Sequence, residues 1–148
     1  MTLDELIPAT HVLDRLRAPD KAALLTALAR AAGEALGLPP ADIAAALAAR
    51  EALGSTGTGG GIAVPHARIA TLVAPSGYFA RLDRPVAFDS VDGQPVDLVF
   101  LLLSPPADGA HLRALAAVSR RLRTPGVAEA LRSAAPATLR AALLGDAA

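Results

Sequence analysis

The sequence predicts an α/β fold in which a β-sheet of at least three strands is covered by helices. Apolar residues recur every three or four positions in residues 21–36, 41–53 and 110–123, and this spacing indicates amphipathic helices. Short apolar stretches bounded by glycine and proline lie between the second and third helix, and such stretches are typical of strands. The length of 148 residues suits one domain. No repeat or linker divides the chain, so we expect a single α/β sandwich.

Two helices open the predicted fold. The apolar face of residues 21–36 consists of Leu24, Leu25, Leu28, Ala32 and Leu36. Gly37 supplies a stop, and Pro39 and Pro40 favour the start of the second helix, at about residues 41–53. The second helix places Ile43, Ala46 and Leu47 on its buried side.

The strands follow in the middle of the chain. Residues 61–69 have the residue pattern of a strand. The strand should end near Pro65, because proline has no N–H to donate to the hydrogen bonds of a sheet. Residues 77–83 predict a second strand and residues 85–88 a short third segment. Residues 97–103 form the most apolar run, as expected of a central strand that is buried on both faces.

Helices close the chain. Residues 110–123 predict a long helix with one apolar side made by Leu112, Leu115, Val118 and Leu122. Residues 126–132 and 137–144 predict two short helices. His11 precedes the first of the predicted helices, and we expect it on the solvated surface.

Composition excludes several classes of function. Lysine plus arginine and aspartate plus glutamate number 14 each, so the formal net charge is zero and nucleic acid is not an expected partner. The chain has no cysteine, which excludes disulfides, thiolate metal sites and cysteine nucleophiles. No apolar stretch approaches the roughly 20 residues of a membrane span, so we expect no membrane insertion. The N-terminus has no pattern of a signal peptide, and we expect a cytoplasmic protein.

The most informative segment is REALGSTGTGGGIAVPHARI, residues 50–69, where five glycines precede a histidine. The glycines fit neither a P-loop nor a dinucleotide-binding turn, because no Lys-Ser/Thr pair follows and the loop runs from helix to strand. Such a loop is either a flexible connector or a place of close backbone approach to a ligand. His66 follows Pro65 where the strand ends, and ligands of α/β sheets bind at strand ends. His66 is therefore a candidate site residue rather than only a structural histidine.

Arg50 lies on the same helical stripe as Ile43 and Leu47, so it points away from bulk water. An inward guanidinium at a helix end needs an anion. That anion is either a phosphate or a carboxylate such as Glu51 or Asp97.

His111 falls in the first turn of the helix at 110–123, with Asp108 or Gly109 as the helix cap. A helix N-terminus disfavours the imidazolium and offers free N–H groups to an anion. A neutral His111 could donate one hydrogen bond to a phosphoryl oxygen; the alternative is an ordinary surface histidine.

The 50–69 segment closely resembles the active-site segment of the EIIA domains of the phosphotransferase system, of the fructose/mannitol type (EIIA type 2). The nitrogen-regulatory branch of that family reads REALGSTGIGNGIAIPHGK and is the most similar. The resemblance extends to FDSVDGQPVDLVFLLLSP and HLRALAAVSRRLR in the same order, and it covers about residues 5–145 as a single domain.

The resemblance implies a mixed sheet flanked by helices and a phosphocarrier rather than a conventional turnover enzyme. It implies that His66 is phosphorylated by an HPr-like donor, that His111 supports the phosphoryl group, and that Arg50 contacts this group or the partner. The phosphoryl-binding loop would comprise Ser55, Thr56, Gly57, Thr58 and Gly59. Neither metal nor another cofactor is expected.

Three functions remain open from the sequence. The first is a free-standing nitrogen-regulatory EIIA that acts on target proteins according to its phosphorylation state. The second is a component that passes phosphate to a fructose- or mannitol-type sugar permease, and the third is a non-phosphorylated protein-binding module. Thr58, Gly60 and Ala67 depart from the family pattern, and these departures bear on donor preference.

Overall fold

The computed structural model describes residues 2–106 and 109–145. The helices in that part of the chain are α1 (Leu3–Leu6), α2 (Lys21–Leu36), α3 (Pro40–Glu51), α4 (Ala110–Arg123), α5 (Val127–Ser133) and α6 (Leu139–Leu144). The strands are β1 (Val12–Leu16), β2 (Gly57–Gly59), β3 (Ile62–Ala63), β4 (His66–Arg68), β5 (Ser76–Val86) and β6 (Val96–Ser104). Two short 3₁₀ helices cover Ala9–His11 and Pro136–Thr138.

The strands form one mixed sheet in the order β1-β5-β6-β3-β2, and β4 also pairs with β6. β5 and β6 run antiparallel, whereas β1 is parallel to β5, and β3 and β4 are parallel to β6. The expectation of a mixed sheet flanked by helices is confirmed.

β6 is the central strand, as its apolar sequence predicts. Val99, Leu101 and Leu103 face the core layer that includes residues of α2 and α3. Leu98, Phe100 and Leu102 face the opposite layer, which includes residues of α4, α5 and α6. All six side chains are fully buried, so β6 separates two apolar cores and fixes both helical layers.

α2 has the bounds that its sequence predicts because both ends carry strong signals. Asp20 accepts a hydrogen bond from the Ala23 backbone N–H at 2.8 Å and caps the N-terminus. Gly37 ends the helix in the left-handed conformation with φ of 69°. α3 ends at Glu51, two residues before the predicted end, because residues 52–54 turn out of the helix.

β1 is a strand that the sequence analysis did not predict. Its five residues, VLDRL, include two adjacent charged side chains, and its pairing with β5 is stabilised by the ion pair of Asp14 and Arg81 at 2.7 Å. The expectation that His11 is a solvated surface residue is wrong. Its Nδ1 atom is 2.9 Å from the Gly77 carbonyl oxygen, and its ring stacks on Tyr78 with centroids 4.2 Å apart.

The middle strands also differ in detail from the prediction. The predicted 61–69 strand is two short strands, β3 and β4, with a break at Val64 and Pro65. The segment predicted at 77–83 and the first two residues of the segment predicted at 85–88 form one strand, β5, since its pairing with β6 resumes after an irregularity between Arg81 and Val86. No helix in residues 2–106 or 109–145 is long and apolar enough to cross a membrane.

The end of the glycine-rich loop is fixed to the rest of the fold by side chains. Arg132 forms two bonds to the Asp97 carboxylate, at 2.8 and 2.9 Å, and donates a third to the Gly60 carbonyl at 2.7 Å. Gly60 donates its N–H to Asp92 at 2.9 Å. Gly61 leads into β3 with φ of 79° and no room for a side chain.

A pair of alanine substitutions separates backbone strain from side-chain crowding at this point. Gly60 and Gly61 both have left-handed φ values, so alanine at either should cost about 1–2 kcal/mol. A Cβ atom at Gly61 would also lie 2.4 Å from Arg132 Nη2 and 2.8 Å from Asp97 Oδ1, whereas one at Gly60 meets nothing within 4 Å. We therefore expect Gly61→Ala to lower the free energy of unfolding in urea more than Gly60→Ala. Equal losses would show that the Asp97–Arg132 pair adjusts freely.

Candidate functional site

His66 lies on β4, beside a cleft that residues of α3 and α4 also line. β4 begins directly after Pro65, and its register places His66 opposite Leu102 of β6. The side chain is half-buried and lines an open cleft of about 390 Å³. The cleft is lined by Ala46, Ala49, Arg50, Leu53, His66, Ala67, Arg68 and His111.

The hydrogen bonds of His66 determine its tautomer. Nδ1 is 2.9 Å from the Val64 carbonyl oxygen, which can only accept, so Nδ1 carries the proton. Nε2 therefore has a free lone pair, and it accepts a hydrogen bond from Arg50 Nε at 3.1 Å. Val64 thus fixes the proton on Nδ1 and leaves the lone pair on Nε2.

Arg50 stands at the last turn of α3 and contacts His66 directly. Besides its bond to His66 Nε2, it donates from Nη1 to the Gly54 carbonyl at 3.0 Å. The two carboxylates considered as its partners are engaged with other groups: Glu51 pairs with Lys21 at 2.8 Å and Asp97 with Arg132 at 2.8 Å. The guanidinium is thus positioned at the atom of His66 that faces the cleft.

His111 lies in the first turn of α4 and completes the site. It is 5% exposed, and its ring centroid is 5.5 Å from that of His66, with the ring planes at 49°. Gly109 is the residue that caps α4, while the alternative cap, Asp108, lies outside the described residues. His111 Nδ1 is buried with no hydrogen-bond partner in the described part of the chain. The alternative of an ordinary surface histidine is not what the structure shows.

Burial keeps both histidines neutral. It lowers the pKa of His66 below its usual value, and the nearby Arg50 charge lowers it further, against the opposing effects of the Val64 carbonyl and the Glu51 charge. Burial also lowers the pKa of His111, and the positive charges of His66, when protonated, and Arg68 act in the same direction. A neutral imidazole is the form that can attack an electrophile.

The residues expected to form a phosphoryl-binding loop are held by the protein itself in this structure. The backbone N–H of Thr56 donates to Glu51 at 3.2 Å, and the hydroxyl of Thr56 also bonds to Glu51. Ser55 donates from Oγ to the Phe88 carbonyl at 2.6 Å and accepts from Gly57 N–H at 3.0 Å. Neither Thr58 nor Gly59 is among the residues that line the cleft. A contact of residues 55–59 with a phosphoryl group stays a prediction.

The sequence did not predict two features of the site. Arg68 lies two positions after His66 on β4, and a spacing of two residues on a strand places side chains on one face, which could have indicated it. Leu112 was expected on the buried side of its helix but is 65% exposed, because the buried stripe runs through His111, Ala114, Val118 and Leu122. Among residues 2–106 and 109–145, no three histidine, aspartate or glutamate side chains are placed to hold a metal ion.

Comparison with known proteins identifies the family. Residues 5–144 match the family model described as "Phosphoenolpyruvate-dependent sugar phosphotransferase system, EIIA 2". The chain belongs to this family. As an EIIA protein it is a phosphocarrier of the phosphotransferase system, and its type-2 fold agrees with the mixed sheet described above.

Relatives of this EIIA chain include regulatory proteins. The "Nitrogen regulatory protein" of Bradyrhizobium diazoefficiens is 44% identical over 134 residues, which cover 90% of this chain and 88% of that protein. The crystal structure of nitrogen regulatory protein IIA-Ntr from Neisseria meningitidis has a TM-score of 0.87 and 37% identity, covering 95% of this chain and 98% of that one. Mannitol IIA of Escherichia coli, in its complex with phosphorylated IIB, shares the fold with a TM-score of 0.78 at 19% identity, covering 95% and 99%.

The contact of Arg50 with His66 predicts how the site titrates. We expect both His66 and His111 to titrate below the ordinary histidine pKa, because burial penalises their charged forms. Arg50→Gln should raise the pKa of His66, since it removes a positive charge from Nε2. Ring ¹⁵N NMR over a pH series measures both values and reports the proton on Nδ1. An unchanged His66 pKa in Arg50→Gln would contradict the contact.

The same pKa shifts give stability a pH dependence. In the unfolded chain His66 and His111 take up protons at about pH 6.5, whereas in the folded chain their lowered pKa values mean that they do so only at lower pH. The free energy of unfolding should therefore fall as the pH drops below about 6.5.

Proposed function

We propose that His66 Nε2 is the atom that accepts the phosphoryl group, from an HPr-like donor protein. The observation that carries this proposal is the hydrogen bond from Nδ1 to the Val64 carbonyl, which leaves the Nε2 lone pair on the side of the open cleft. The lowered pKa of His66 supports it, because the ring stays neutral and nucleophilic at neutral pH.

The transfer step balances without a metal or a second cofactor. The Nε2 lone pair forms the new N–P bond, while the N–P bond to the donor histidine breaks and its electron pair returns to that ring. The Nδ1 proton of His66 stays on its nitrogen, held by Val64. Charge spread over the equatorial phosphoryl oxygens then needs positioned donors around Nε2.

Arg50 has a role in two successive states. Before transfer its Nε–H occupies the Nε2 lone pair, so it must move off this atom before Nε2 can attack phosphorus. Its planar fork then lies within reach of the phosphoryl oxygens and can offer them two N–H groups. His111, 5.5 Å from His66 between ring centroids, offers one further N–H to the same group.

We propose the nitrogen-regulatory branch as the biological setting. The support is the likeness to nitrogen regulatory proteins along most of the chain, at 44% and 37% identity. In this setting the phosphorylation state of His66 controls which target protein binds. The alternative, transfer to a sugar permease, is supported by a shorter match, 41% identity over 90 residues, to the "PTS system fructose-specific EIIA component" of Haloferax volcanii. Assay of phosphate transfer to a purified permease IIB domain separates the two.

His66→Ala should abolish labelling in a reaction with phosphoenolpyruvate and the purified general phosphotransferase proteins. The label on the wild-type protein should be acid-labile and base-stable, as a phosphoramidate is.

His111→Ala should still be labelled but more slowly, by a barrier increase of about 2–4 kcal/mol for one lost donor. Intact mass and single-turnover rates measure both. Unchanged labelling of His66→Ala would refute the assignment, and equal rates would remove His111 from the mechanism.

The rim of the cleft predicts where the donor protein docks. Leu53, 84% exposed, lines the cleft, and Leu112, 65% exposed, follows His111. We expect a donor protein that brings its histidine to Nε2 to cover these leucines. Leu53→Ser and Leu112→Ser should each raise the apparent KM for the donor about five- to thirtyfold, the equivalent of 1–2 kcal/mol.

Val91→Ser is the matched control for this docking surface. Val91 is 86% exposed but does not line the cleft, so its substitution should leave KM unchanged. The kcat of the leucine variants should also stay near the wild-type value, because no reacting group is altered. An equal change of KM in all three variants would show a nonspecific effect of surface polarity.

A further inference from the structure

A buried carboxylate lies next to the reactive histidine but does not contact it. The side chain of Glu51 is only 6% exposed, although Ala52 and Leu53, which follow it, are both exposed. Burying a carboxylate is costly unless it is paired and hydrogen-bonded. Lys21 supplies the pairing charge from α2, at 2.8 Å, and Thr56 supplies hydrogen bonds.

These contacts close the turn that follows α3. Glu51 is the last residue of α3, and its carboxylate binds both the backbone N–H and the hydroxyl of Thr56, five residues later. On the helix side, Leu53 N–H donates to the Arg50 carbonyl and Gly54 N–H to the Glu51 carbonyl, both at 3.1 Å. The hydrogen bonds to the end of α3 and to Thr56 thus hold Gly54 on both sides along the chain. Side-chain packing does not fix it, because a Cβ atom at Gly54 would meet nothing within 4 Å.

The closed turn determines where Arg50 points. The Gly54 carbonyl accepts the hydrogen bond of Arg50 Nη1, at 3.0 Å, while Nε of the same guanidinium reaches His66. The N–H groups of a planar guanidinium keep fixed positions relative to one another, so a hydrogen bond at one nitrogen constrains where the other N–H groups point. The position of Gly54 therefore sets the approach of Arg50 to Nε2.

We propose that Glu51 is a positioning residue for phosphoryl transfer, which acts by closing the 51–56 turn and so holding Arg50 beside His66, where its N–H groups can meet the phosphoryl oxygens. This inference rests on the proposed function of His66, but one of its two measurements uses the unphosphorylated protein. Lys21 compensates the charge of Glu51, and the ammonium nitrogen of Lys21 lies over the Phe88 ring, 4.5 Å from its centroid.

Loss of the Glu51 charge and loss of its hold on Arg50 should shift the pKa of His66 in opposite directions. The charges that act on the pKa of His66 come from Arg50 and Glu51 of α3, and His111 of α4 lies beside the ring. Arg68 of β4 adds a positive charge that lowers the pKa of His111. The negative charge of Glu51 raises the pKa of His66, so losing that charge alone would lower it. Losing the hold on Arg50 would raise it, because the guanidinium lowers this pKa from close contact.

The first experiment is the NMR titration of unphosphorylated protein carrying Thr56→Val. This variant keeps the size of the side chain and every charge, and it removes the hydroxyl that bonds to Glu51. The expected result is a raised pKa of His66 relative to wild type. Glu51→Gln should also raise it, against the effect of the lost charge. An unchanged His66 pKa in Thr56→Val, or a lowered one in Glu51→Gln, would overturn the proposal.

The second experiment is the single-turnover rate of phosphorylation by the HPr-like donor. Glu51→Gln should slow transfer about tenfold to a hundredfold, the scale of a misplaced catalytic group. In an Arg50→Gln background the same substitution should change the rate by less than about twofold, because coupled residues are not additive. Effects that multiply in the double variant would show that Glu51 does not act through Arg50.

Asp42→Asn is the matched control, since Asp42 is an exposed carboxylate on the same helix. It should leave both the pKa of His66 and the rate unchanged; a change like that of Glu51→Gln would overturn the proposal. If no variant and no wild-type protein is phosphorylated, the proposed function fails, while the titration still decides whether Glu51 positions Arg50.

Discussion

The hydrogen bond from His66 Nδ1 to the Val64 carbonyl is the interaction on which the chemistry of this site depends. It joins two residues that are two positions apart, and it exists because the chain breaks between β3 and β4. Val64 is therefore outside the regular ladder of the sheet, with its carbonyl turned to the imidazole. Pro65 has no N–H that would require a partner at the break. One irregularity in the sheet thus decides which ring nitrogen carries the proton.

The glycine-rich loop supports this break in the sheet, because the loop is itself hydrogen-bonded to the rest of the fold. Val64 N–H donates to the Thr56 carbonyl at 3.0 Å, so the break in the sheet is tied to the segment that Glu51 holds. Gly57 passes so close to Ser90 that a Cβ atom there would lie 2.3 Å from its Oγ. The glycines allow backbone segments to approach each other, and the loop in this structure is a fixed support rather than a flexible connector.

Much of the fold is predictable from the sequence, and the exceptions have physical causes. The bounds of α2 follow from its caps, and the central place of β6 follows from its apolar run. β1 escaped prediction because five residues with two charges form a strand only through pairing with β5 and the bond between Asp14 and Arg81. Of the site, the place of His66 at the break after Pro65 could be anticipated. The bond of Arg50 to His66 could not, because it spans 16 residues and depends on how a turn closes.

The guanidinium on Nε2 also gives the resting protein a chemical selectivity. Two neighbouring imidazoles at a surface cleft are a common beginning of a site for zinc, nickel or copper ions. Here the lone pair of Nε2 is already engaged, and the positive charge of Arg50 repels an approaching cation. A group rich in negative oxygens is attracted by the same charge and can draw the guanidinium onto itself. The cleft thereby distinguishes cations from anions by the sign of their charge.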